Sequence, residues 1–550
     1  MNRRRPSLPA TRRSKAGPGQ RESGRPTFSR PGNRPAGILI RPVAAGRRLD
    51  SGTDTAVGSG SIPDRRGGPL RDRPVLPRLR ERSPVHGLRR RGLAPLEVFA
   101  QSVSGAAPSA AMAATPAIVA ASAGGGTVWS FVVATGLALL IASCVARFTR
   151  RMAATGGLYS LTAKGLNPGA AFASGAALLV GYGMLAAAAL TGGATYLQAL
   201  VARLGGPVSV WVPVGAVVVV GFAAGTLALR GVRLSARVVL LVELVSIVLM
   251  LTIFGLLLAS PPAGPDLPQP SPGVGGIVAG VLPALAAFIG FEIATALGSE
   301  TRRPFRTVPR AVTWTAAVSG LLCVFAAQTQ VVGFASVPGG LAAQDAPVPV
   351  LAAAGGWPWL TPLLDLGLTM SFFACALATT NALARVLFSL ARDGVAPRAF
   401  GRTHPRFATP HVAIAVVVPV LVVGLAATVA AGTALAPLLV FLLTVATGGF
   451  LVAYLLVCLA APVFLRRIGE LTWSAVAATA VIVPILLAAL VAYVLASGRT
   501  PVVVVLAALA AAAVGWFVWA RLRRPAEVAS IGVYDETVAA DVLGDPGRAA

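Results

Sequence analysis

Twelve long apolar runs follow one another along the chain, separated by short stretches rich in Gly, Pro and Arg. An α-helix needs about 20 consecutive apolar residues to cross the hydrocarbon core of a bilayer. The runs have this length, so the pattern predicts twelve transmembrane helices, which we number as segments 1 to 12. Their approximate ranges are 97–122, 127–146, 169–200, 208–229, 236–259, 274–298, 311–335, 359–390, 411–431, 434–464, 472–496 and 501–520.

The composition agrees with this pattern. Hydrophobic residues make up 55% of the 550 residues and charged residues only 12%, a balance far more apolar than that of a soluble globular chain. The sequence therefore predicts an all-α integral membrane protein with about twelve transmembrane helices.

The N-terminal stretch, residues 1–92, differs from the rest of the chain. It holds 23 Lys and Arg against 6 Asp and Glu, is rich in Pro, Gly and Ser, and has no apolar periodicity. Such a segment buries too little surface to offset the entropy of ordering. We expect a disordered cytoplasmic tail, or an extension translated from a misplaced start. Contact with anionic lipid or RNA stays open, but no nucleic-acid partner is expected because aromatic or folded recognition elements are absent from its sequence.

The basic residues of the short loops predict the topology, because Lys and Arg are retained on the cytoplasmic side. With both termini inside the cell, Arg203 and Arg499 lie outside, together with Asp266 and Asp345. The inner loops then hold Arg147, Arg150, Arg151, Lys164, Arg230, Arg233, Arg237, Arg302, Arg303, Arg306, Arg310, Arg392, Arg398, Arg402, Arg406, Arg466, Arg467, Arg521, Arg523 and Arg524. This alternation fits an even number of crossings.

Residues for catalysis or metal binding are sparse. The four cysteines are dispersed through apolar segments without metal-like spacing, and no histidine lies within a predicted membrane segment except at the start of segment 9. We therefore expect no enzyme activity, no metal site and no cofactor. The residues concerned are Cys144, Cys323, Cys375, Cys458, His86, His404 and His411.

Ionisable residues inside membrane helices are costly and need a reason. Glu243 in segment 5 and Glu292 in segment 6 lie deepest and are the candidates for gating or proton binding. The others lie near segment ends, where a long side chain reaches the surface: Glu97, Glu300, Asp365 and Arg385.

Two segments carry signs of a broken helix. Segment 1 contains the stretch from Ser102 to Pro108, whose proline lacks an amide donor and clashes with the preceding turn. Segment 6 contains the stretch from Phe288 to Glu292 with a central glycine. Segments 1 and 6 begin the two halves of a five-plus-five arrangement, where inverted-repeat transporters place their discontinuous helices.

Three stretches resemble the amino acid-polyamine-organocation (APC) permeases. FIGFEIATALGSETRRPFRTVPRA (288–311) is similar to the sixth helix and following loop of that family, with its aromatic-x-Gly-aromatic-Glu pattern. RRMAATGGLYSLTAKGLNP (150–168) and NALARVLFSLARDGVAPRAFGRTHPRFATPHVA (381–413) resemble its loops before helices three and nine. The resemblance implies a permease domain over 93–524, with a LeuT-like 5+5 inverted repeat, discontinuous helices 1 and 6, two peripheral helices and a C-terminal cytoplasmic tail, 525–550.

The resemblance also implies which residues meet the substrate. The break in helix one offers backbone amides to a carboxylate, and the break in helix six offers carbonyls to an amine. Some relatives that are coupled to protons have a lysine in helix five, where this chain has Glu243; a proton is favoured over sodium as the coupling ion. The implied substrate-binding residues are Ser104, Gly105, Ala106, Ala107, Pro108, Phe288, Ile289 and Gly290.

The expected function is therefore secondary active transport of an amino acid or related amine across the cytoplasmic membrane, by alternating access and with proton-coupled symport or exchange. Two alternatives stay open. One is a transport-inactive membrane sensor or receptor with the same fold, and the other is a permease for polyamines or ethanolamine-type amines. The expected partners are the small-molecule substrate and the lipid bilayer.

Overall fold

The computed structural model describes residues 87–534, apart from 89, 208, 260–272, 345 and 498–500. Most of the predicted N-terminal tail and residues 535–550 lie outside the described residues, as do three residues assigned to outer loops, Asp266, Asp345 and Arg499. Over the described ranges the regular structure is helical, and Leu93 and Thr301 form an isolated parallel bridge.

Sixteen α-helices follow one another along the described chain. They are α1 (Pro95–Ala106), α2 (Pro108–Ala123), α3 (Thr127–Thr149), α4 (Leu158–Gly165), α5 (Pro168–Arg203), α6 (Trp211–Arg230), α7 (Val232–Ala259), α8 (Val274–Ala286), α9 (Pro304–Gly333), α10 (Pro347–Ala354), α11 (Thr361–Arg392), α12 (His411–Ala430), α13 (Leu435–Arg467), α14 (Trp473–Ser497), α15 (Pro501–Arg523) and α16 (Pro525–Ala529).

Ten helical stretches of the described chain are long and apolar enough to cross a membrane. One of them, Pro95–Thr149, contains segments 1 and 2, and nine others correspond to segments 3 to 5 and 7 to 12. Segment 6 is absent from the ten because its helix α8 has only 13 residues before the chain leaves the α conformation. All twelve predicted segments are therefore present, and the predicted all-α membrane fold is confirmed.

Segment 1 is broken between α1 and α2. Ala107 adopts the left-handed conformation, with φ 43° and ψ 60°, and Pro108 is the first residue of α2. Proline has no N–H to donate to the carbonyl of Ser104, so the helical hydrogen-bond ladder is interrupted there. Helix α1 therefore ends and helix α2 begins at Ala107 and Pro108, within the stretch where the sequence predicts a break.

Segment 6 is broken over residues 287–292. The N–H groups of Phe288 and Ile289 donate to the carbonyls three residues before them, over 3.1 and 3.3 Å, and the chain continues as a 3₁₀ helix over Ile293–Glu300. Gly290 has φ 102°, a conformation that side chains disfavour. Both predicted discontinuities are present.

The centre of the bundle is α5, which packs against α11 and α13. Small residues permit this approach: a Cβ atom on Gly192 would lie 2.5 Å from the ring of Phe372 on α11. The last two crossing helices, α14 and α15, lie at the periphery. In α15 only Val502 and Ala520 are buried.

The arginine-rich loops lie together at one end of the bundle, which we call the basic end, because their residues contact one another. Arg151 pairs with Glu470, the hydroxyl of Tyr159 donates to Asp393, and one pocket is lined by residues of three further loops, among them Arg230, Glu300 and Arg406. The basic end comprises the loops 150–168, 230–233, 301–304, 393–410 and 467–473. Residues 91–93 are tied to it, because the N–H groups of Arg91 and Leu93 donate to the carbonyls of Ser299 and Glu300 over 3.3 and 2.9 Å. The predicted tail boundary at residue 92 therefore falls within a packed stretch.

The described part of the C-terminal tail is packed as well. The Ser530 hydroxyl donates to the carbonyl of Asp393 over 3.0 Å, and the N–H of Gly532 donates to the carboxylate of Asp393 over 3.1 Å. Residues 525–534 thus cover the loop after α11.

Candidate functional site

The two helix breaks touch through their backbones. Gly105 and Gly290 pack so closely that a Cβ atom on Gly290 would clash with the carbonyl of Gly105, and a Cβ atom on Gly105 would lie 2.9 Å from the carbonyl oxygen of Gly290. The hydroxyl of Ser102 also donates to the carbonyl of Phe291. Glycine is required at both positions, because a side chain on either would separate the breaks.

The first turn of α2 leaves one amide available. The N–H of Ala107 donates to the carbonyl of Val103 over 2.9 Å, Pro108 has no N–H, and the N–H of Ser109 donates to a carboxylate described below. The N–H of Ala110 has no hydrogen-bond partner among the described residues, as is usual for the first turn of a helix. The positive end of α2 is thus a place for an anion.

A cavity of about 380 Å³ lies beside the two breaks, and residues of both line it. Its residues near the ends of helices, among them Ser122 and Leu439, place it toward the end of the bundle opposite the basic end. Its wall is mainly aliphatic and aromatic, and none of the described residues that line it carries a charge. The wall includes Leu185, Ala189, Leu282, Phe372 and Leu443.

Four of the eight predicted substrate-binding residues line this cavity: Gly105, Ala106, Ala107 and Ile289. The other four, Ser104, Pro108, Phe288 and Gly290, belong to the same breaks but are not part of its wall. The Ser104 hydroxyl is buried and has no hydrogen-bond partner among the described residues. The eight predicted residues therefore lie together at the two breaks, but only four of them line the cavity.

Glu292 is fully buried and is held by two tyrosines. The hydroxyls of Tyr182 on α5 and Tyr454 on α13 donate to its carboxylate oxygens over 2.8 and 2.6 Å, and the N–H of Gly290 donates over 3.2 Å. Glu292 does not line the cavity. Its hydrogen bonds connect the break in segment 6 to the central helices α5 and α13. The two tyrosines were not predicted as its partners from the sequence.

Glu243 on α7 meets the positive end of α2. Its Oε1 accepts hydrogen bonds from the N–H and hydroxyl of Ser109, over 3.2 and 3.1 Å, and its Oε2 accepts one from the hydroxyl of Ser371 on α11, over 2.8 Å. The side chain is 2% exposed. Glu243 therefore links three helices beside the first break, and Ser109 and Ser371 were not singled out from the sequence.

Polar contacts close the space between the cavity and the basic end. The amide of Asn381 on α11 donates to Gln101 of α1 and to Ser235 of α7, over 3.3 and 3.2 Å. Nearer the basic end, Arg385 and Glu300 form a buried ion pair with an Nε–Oε1 distance of 2.7 Å. The cavity is thus open toward one end of the bundle and closed toward the other.

The remaining ionisable residues of the segments have ordinary partners. Glu97 pairs with Arg237 over 3.3 Å and caps the start of α1 through the N–H of Ala94. Asp365 pairs with Arg203 over 2.7 Å at the end opposite the basic end. Within the described residues, no three His, Cys, Asp or Glu side chains lie close enough together to hold a metal ion.

The family model for amino acid permeases matches residues 93–521, which is most of the chain and contains both breaks and the cavity. The resemblance of the three sequence stretches to APC permeases is confirmed by this match. The matched range also includes segments 11 and 12, the two peripheral helices.

Several known transporters are similar to this chain. The branched-chain amino acid permease BcaP of Bacillus subtilis (strain 168) is 26% identical over 316 residues, which are 54% of this chain and 66% of the relative. The methylthioribose transporter of the same strain is 26% identical over 314 residues, with the same shares. Cationic amino acid transporter 4 of Mus musculus is 28% identical over 361 residues, 61% of this chain and 55% of the relative. The matches thus span between about half and two thirds of these relatives.

Proposed function

The chain belongs to the amino acid permease family, and we propose that it transports amino acids with uncharged aliphatic side chains across the cell membrane by alternating access. The observation that carries this proposal is the cavity beside the two helix breaks, which offers backbone polar groups at one side and an uncharged apolar wall at the other.

A zwitterionic amino acid fits these features. Its carboxylate binds at the positive end of α2, near the unpaired N–H of Ala110, and its ammonium group meets backbone carbonyls of the breaks at Ala106 and Ile289. Its side chain lies against the apolar wall, which includes Leu185 and Phe372. Of the predicted contact residues, Gly105, Ala106, Ala107 and Ile289 keep this role in the proposal because they line the cavity.

The uncharged wall of the cavity favours one of the substrate classes that the names of the relatives suggest. A cationic amino acid or a polyamine needs a carboxylate for its extra charge, because a buried unpaired cation is strongly unfavourable. No such group lines the cavity among the described residues, whereas an aliphatic side chain needs none. This favours the substrate named for the branched-chain permease of B. subtilis over that of the cationic transporter.

We assign proton coupling to Glu243. The ionised carboxylate occupies the positive end of α2 through Ser109, and the substrate carboxylate is attracted to the same helix end. Two negative charges there repel each other, so binding of the substrate and protonation of Glu243 favour one another. The other groups that face Glu243 are the neutral side chains of Ser371 and Cys375, and no described Lys or Arg forms an ion pair with it. This linkage between substrate binding and protonation supports proton symport. Exchange of one substrate molecule for another would use the same steps without net proton transfer.

The closed side of the cavity supports the rest of the transport cycle. Opening toward the basic end requires the contacts of Asn381 with Gln101 and Ser235 to separate. The concentration of Arg at that end supports an orientation with both termini in the cytoplasm. Glu292, whose described contacts all donate hydrogen bonds to it, is proposed to position the break rather than to carry the proton.

Uptake by purified protein in proteoliposomes tests the function. We expect labelled leucine to accumulate when a proton gradient is imposed, and not with a sodium gradient alone. Unlabelled isoleucine and valine should compete, whereas lysine, glutamate and putrescine should not. Competition by lysine or putrescine contradicts the aliphatic assignment, and binding of leucine without any uptake or exchange supports the receptor alternative.

A pair of variants on one helix tests whether the cavity is the substrate site. Leu185 lines the cavity, and Leu178 on the same helix is fully buried but outside its wall. Leu185→Ala enlarges the cavity and should increase uptake of phenylalanine relative to leucine. Leu178→Ala is the matched control, because it removes the same atoms elsewhere and should leave the preference unchanged. An equal shift in both variants contradicts the assignment.

A further inference from the structure

The outermost crossing helix stands away from the core over most of its length. Only Val502 near one end of α15 and Ala520 near the other are buried. Near the basic end the ring of Phe517 packs against Phe172 of α5, with centroids 5.2 Å apart, and the indole of Trp516 donates to the carbonyl of Val395. Between these anchor points, α15 leaves a gap.

This gap is an apolar groove of about 510 Å³ between α5, α13, α14 and α15. It extends along α15 from Val503 to Phe517, about 21 Å at 1.5 Å per residue. One leaflet of the hydrocarbon core is about 15 Å thick, so the groove is long enough to hold an acyl chain lengthwise. Its wall residues Ala173, Ala507 and Val514 are exposed, so the groove opens to the surface that faces the bilayer.

Basic side chains lie where the groove reaches the basic end. Arg521 follows Phe517 by four residues and thus continues the same face of α15. Lys164 precedes Gly169, the groove residue at the start of α5, by five residues. Arg467 is held beside Lys164, because it donates a hydrogen bond to the carbonyl of Lys164 over 2.8 Å. In the part of the chain that the structure describes, no carboxylate lies within ion-pair distance of Arg521, Lys164 or Arg467.

We propose that this groove is a binding site for an anionic phospholipid. One acyl chain fills the space between α15 and α5, and the phosphate and anionic headgroup meet Arg521, Lys164 and Arg467. An acyl chain in the groove supplies van der Waals contacts that the walls of an empty groove lack. Basic residues without a carboxylate partner at the membrane surface attract anionic headgroups. The proposal does not depend on the transported substrate or the coupling ion.

Native mass spectrometry of the protein, purified in a mild detergent and given equal amounts of phosphatidylglycerol and phosphatidylcholine, tests the site. We expect one phosphatidylglycerol per chain to be retained in preference to phosphatidylcholine. Arg521→Gln should weaken that preference about fivefold. Arg523→Gln is the matched control, because Arg523 is also exposed but lies on another face of α15, and should leave the preference unchanged.

A second pair of variants tests the groove itself. Ala513→Phe fills the groove and should reduce retention of the lipid, whereas Ala511→Phe, outside its wall and exposed, should not. Three results overturn the proposal: equal retention of both lipids, equal losses in Arg521→Gln and Arg523→Gln, or a dimer that Ala513→Phe separates. The last result assigns the groove to a second copy of the chain.

Discussion

The hydroxyl of Tyr454 on α13 donates a hydrogen bond of 2.6 Å to Oε2 of Glu292, 162 residues earlier in the chain. A second hydrogen bond to Glu292 comes from Tyr182 on α5. The two bonds connect the break in segment 6 to α5 and α13, which pack against each other. The carboxylate is thereby hydrogen-bonded on both oxygens, and these bonds offset the free-energy cost of removing a buried polar group from water.

Glu292→Ala should abolish leucine uptake and lower stability. The substitution removes the acceptor of two buried hydroxyls, each of which then contributes a penalty of about 1–3 kcal/mol. We expect the protein to reach the membrane with a lower thermal unfolding midpoint in detergent. Uptake at the wild-type rate would refute the place of Glu292 in the site.

Glu292→Gln separates hydrogen bonding from proton transfer. Glutamine retains one acceptor oxygen, so uptake should fall only partly. Its dependence on pH should match that of the wild type, because we assign Glu292 a positioning role. A flat pH profile in this variant would transfer the proton-binding role from Glu243 to Glu292.

Glu243→Gln should uncouple transport from the proton gradient. The neutral amide retains an oxygen that can accept from Ser109 but cannot titrate, so leucine exchange should continue while gradient-driven accumulation falls to background. Ser371→Ala serves as a control, since it removes a hydrogen bond to the same carboxylate without removing its charge. Accumulation with normal pH dependence in Glu243→Gln would show that the residue is structural.

Gly290→Ala should stop uptake by separating the two breaks. Gly290 has φ 102°, and a Cβ atom there would clash with the carbonyl of Gly105. The control is Gly424→Ala on α12, where nothing lies within 4 Å of the added atom; it should preserve uptake and stabilise the helix by up to about 1 kcal/mol. Equal activity of the two variants is the result that contradicts a close approach of the breaks.

Arg385→Ala should destabilise the protein by about 3–5 kcal/mol, because it leaves the buried Glu300 without its ion-pair partner. The double substitution of Arg385→Met with Glu300→Gln removes both charges and should restore much of the loss. Thermal unfolding of the two proteins in the same detergent measures the difference. A double variant as unstable as Arg385→Ala would show that the pair is not the cause.

Two truncations test where the N-terminal tail ends. The composition of residues 2–86 predicts a disordered tail, and a tail of that kind couples weakly to a packed core, so its removal should leave uptake within about a factor of two. Removal of 2–92 also deletes Arg91 and Gly92, which bond to Ser299 and Arg233, and should reduce the amount of folded protein. Equal behaviour of both truncations would support the boundary at residue 92 that the composition predicts.

The twelve segments and the positions of both breaks can be predicted from the amino-acid sequence. A membrane segment is recognised by a continuous apolar run, and the break at Pro108 follows from a missing N–H and that at Gly290 from backbone freedom within the residue. These causes act within a few residues, so they can be read along the chain. The position of Glu243 and Glu292 deep in the membrane can also be predicted, because each lies well inside an apolar run.

The partners of these residues, in contrast, depend on how distant helices pack. Tyr182 and Tyr454 reach Glu292 from helices 110 and 162 residues away, and Ser109 and Ser371 reach Glu243 across 134 and 128 residues. Which polar groups meet depends on how the helices are rotated and packed, and apolar membrane helices have no amphipathic face that fixes this rotation in the sequence. For the same reason only packing decided which residues of the two breaks face the cavity and which end of the bundle it opens to.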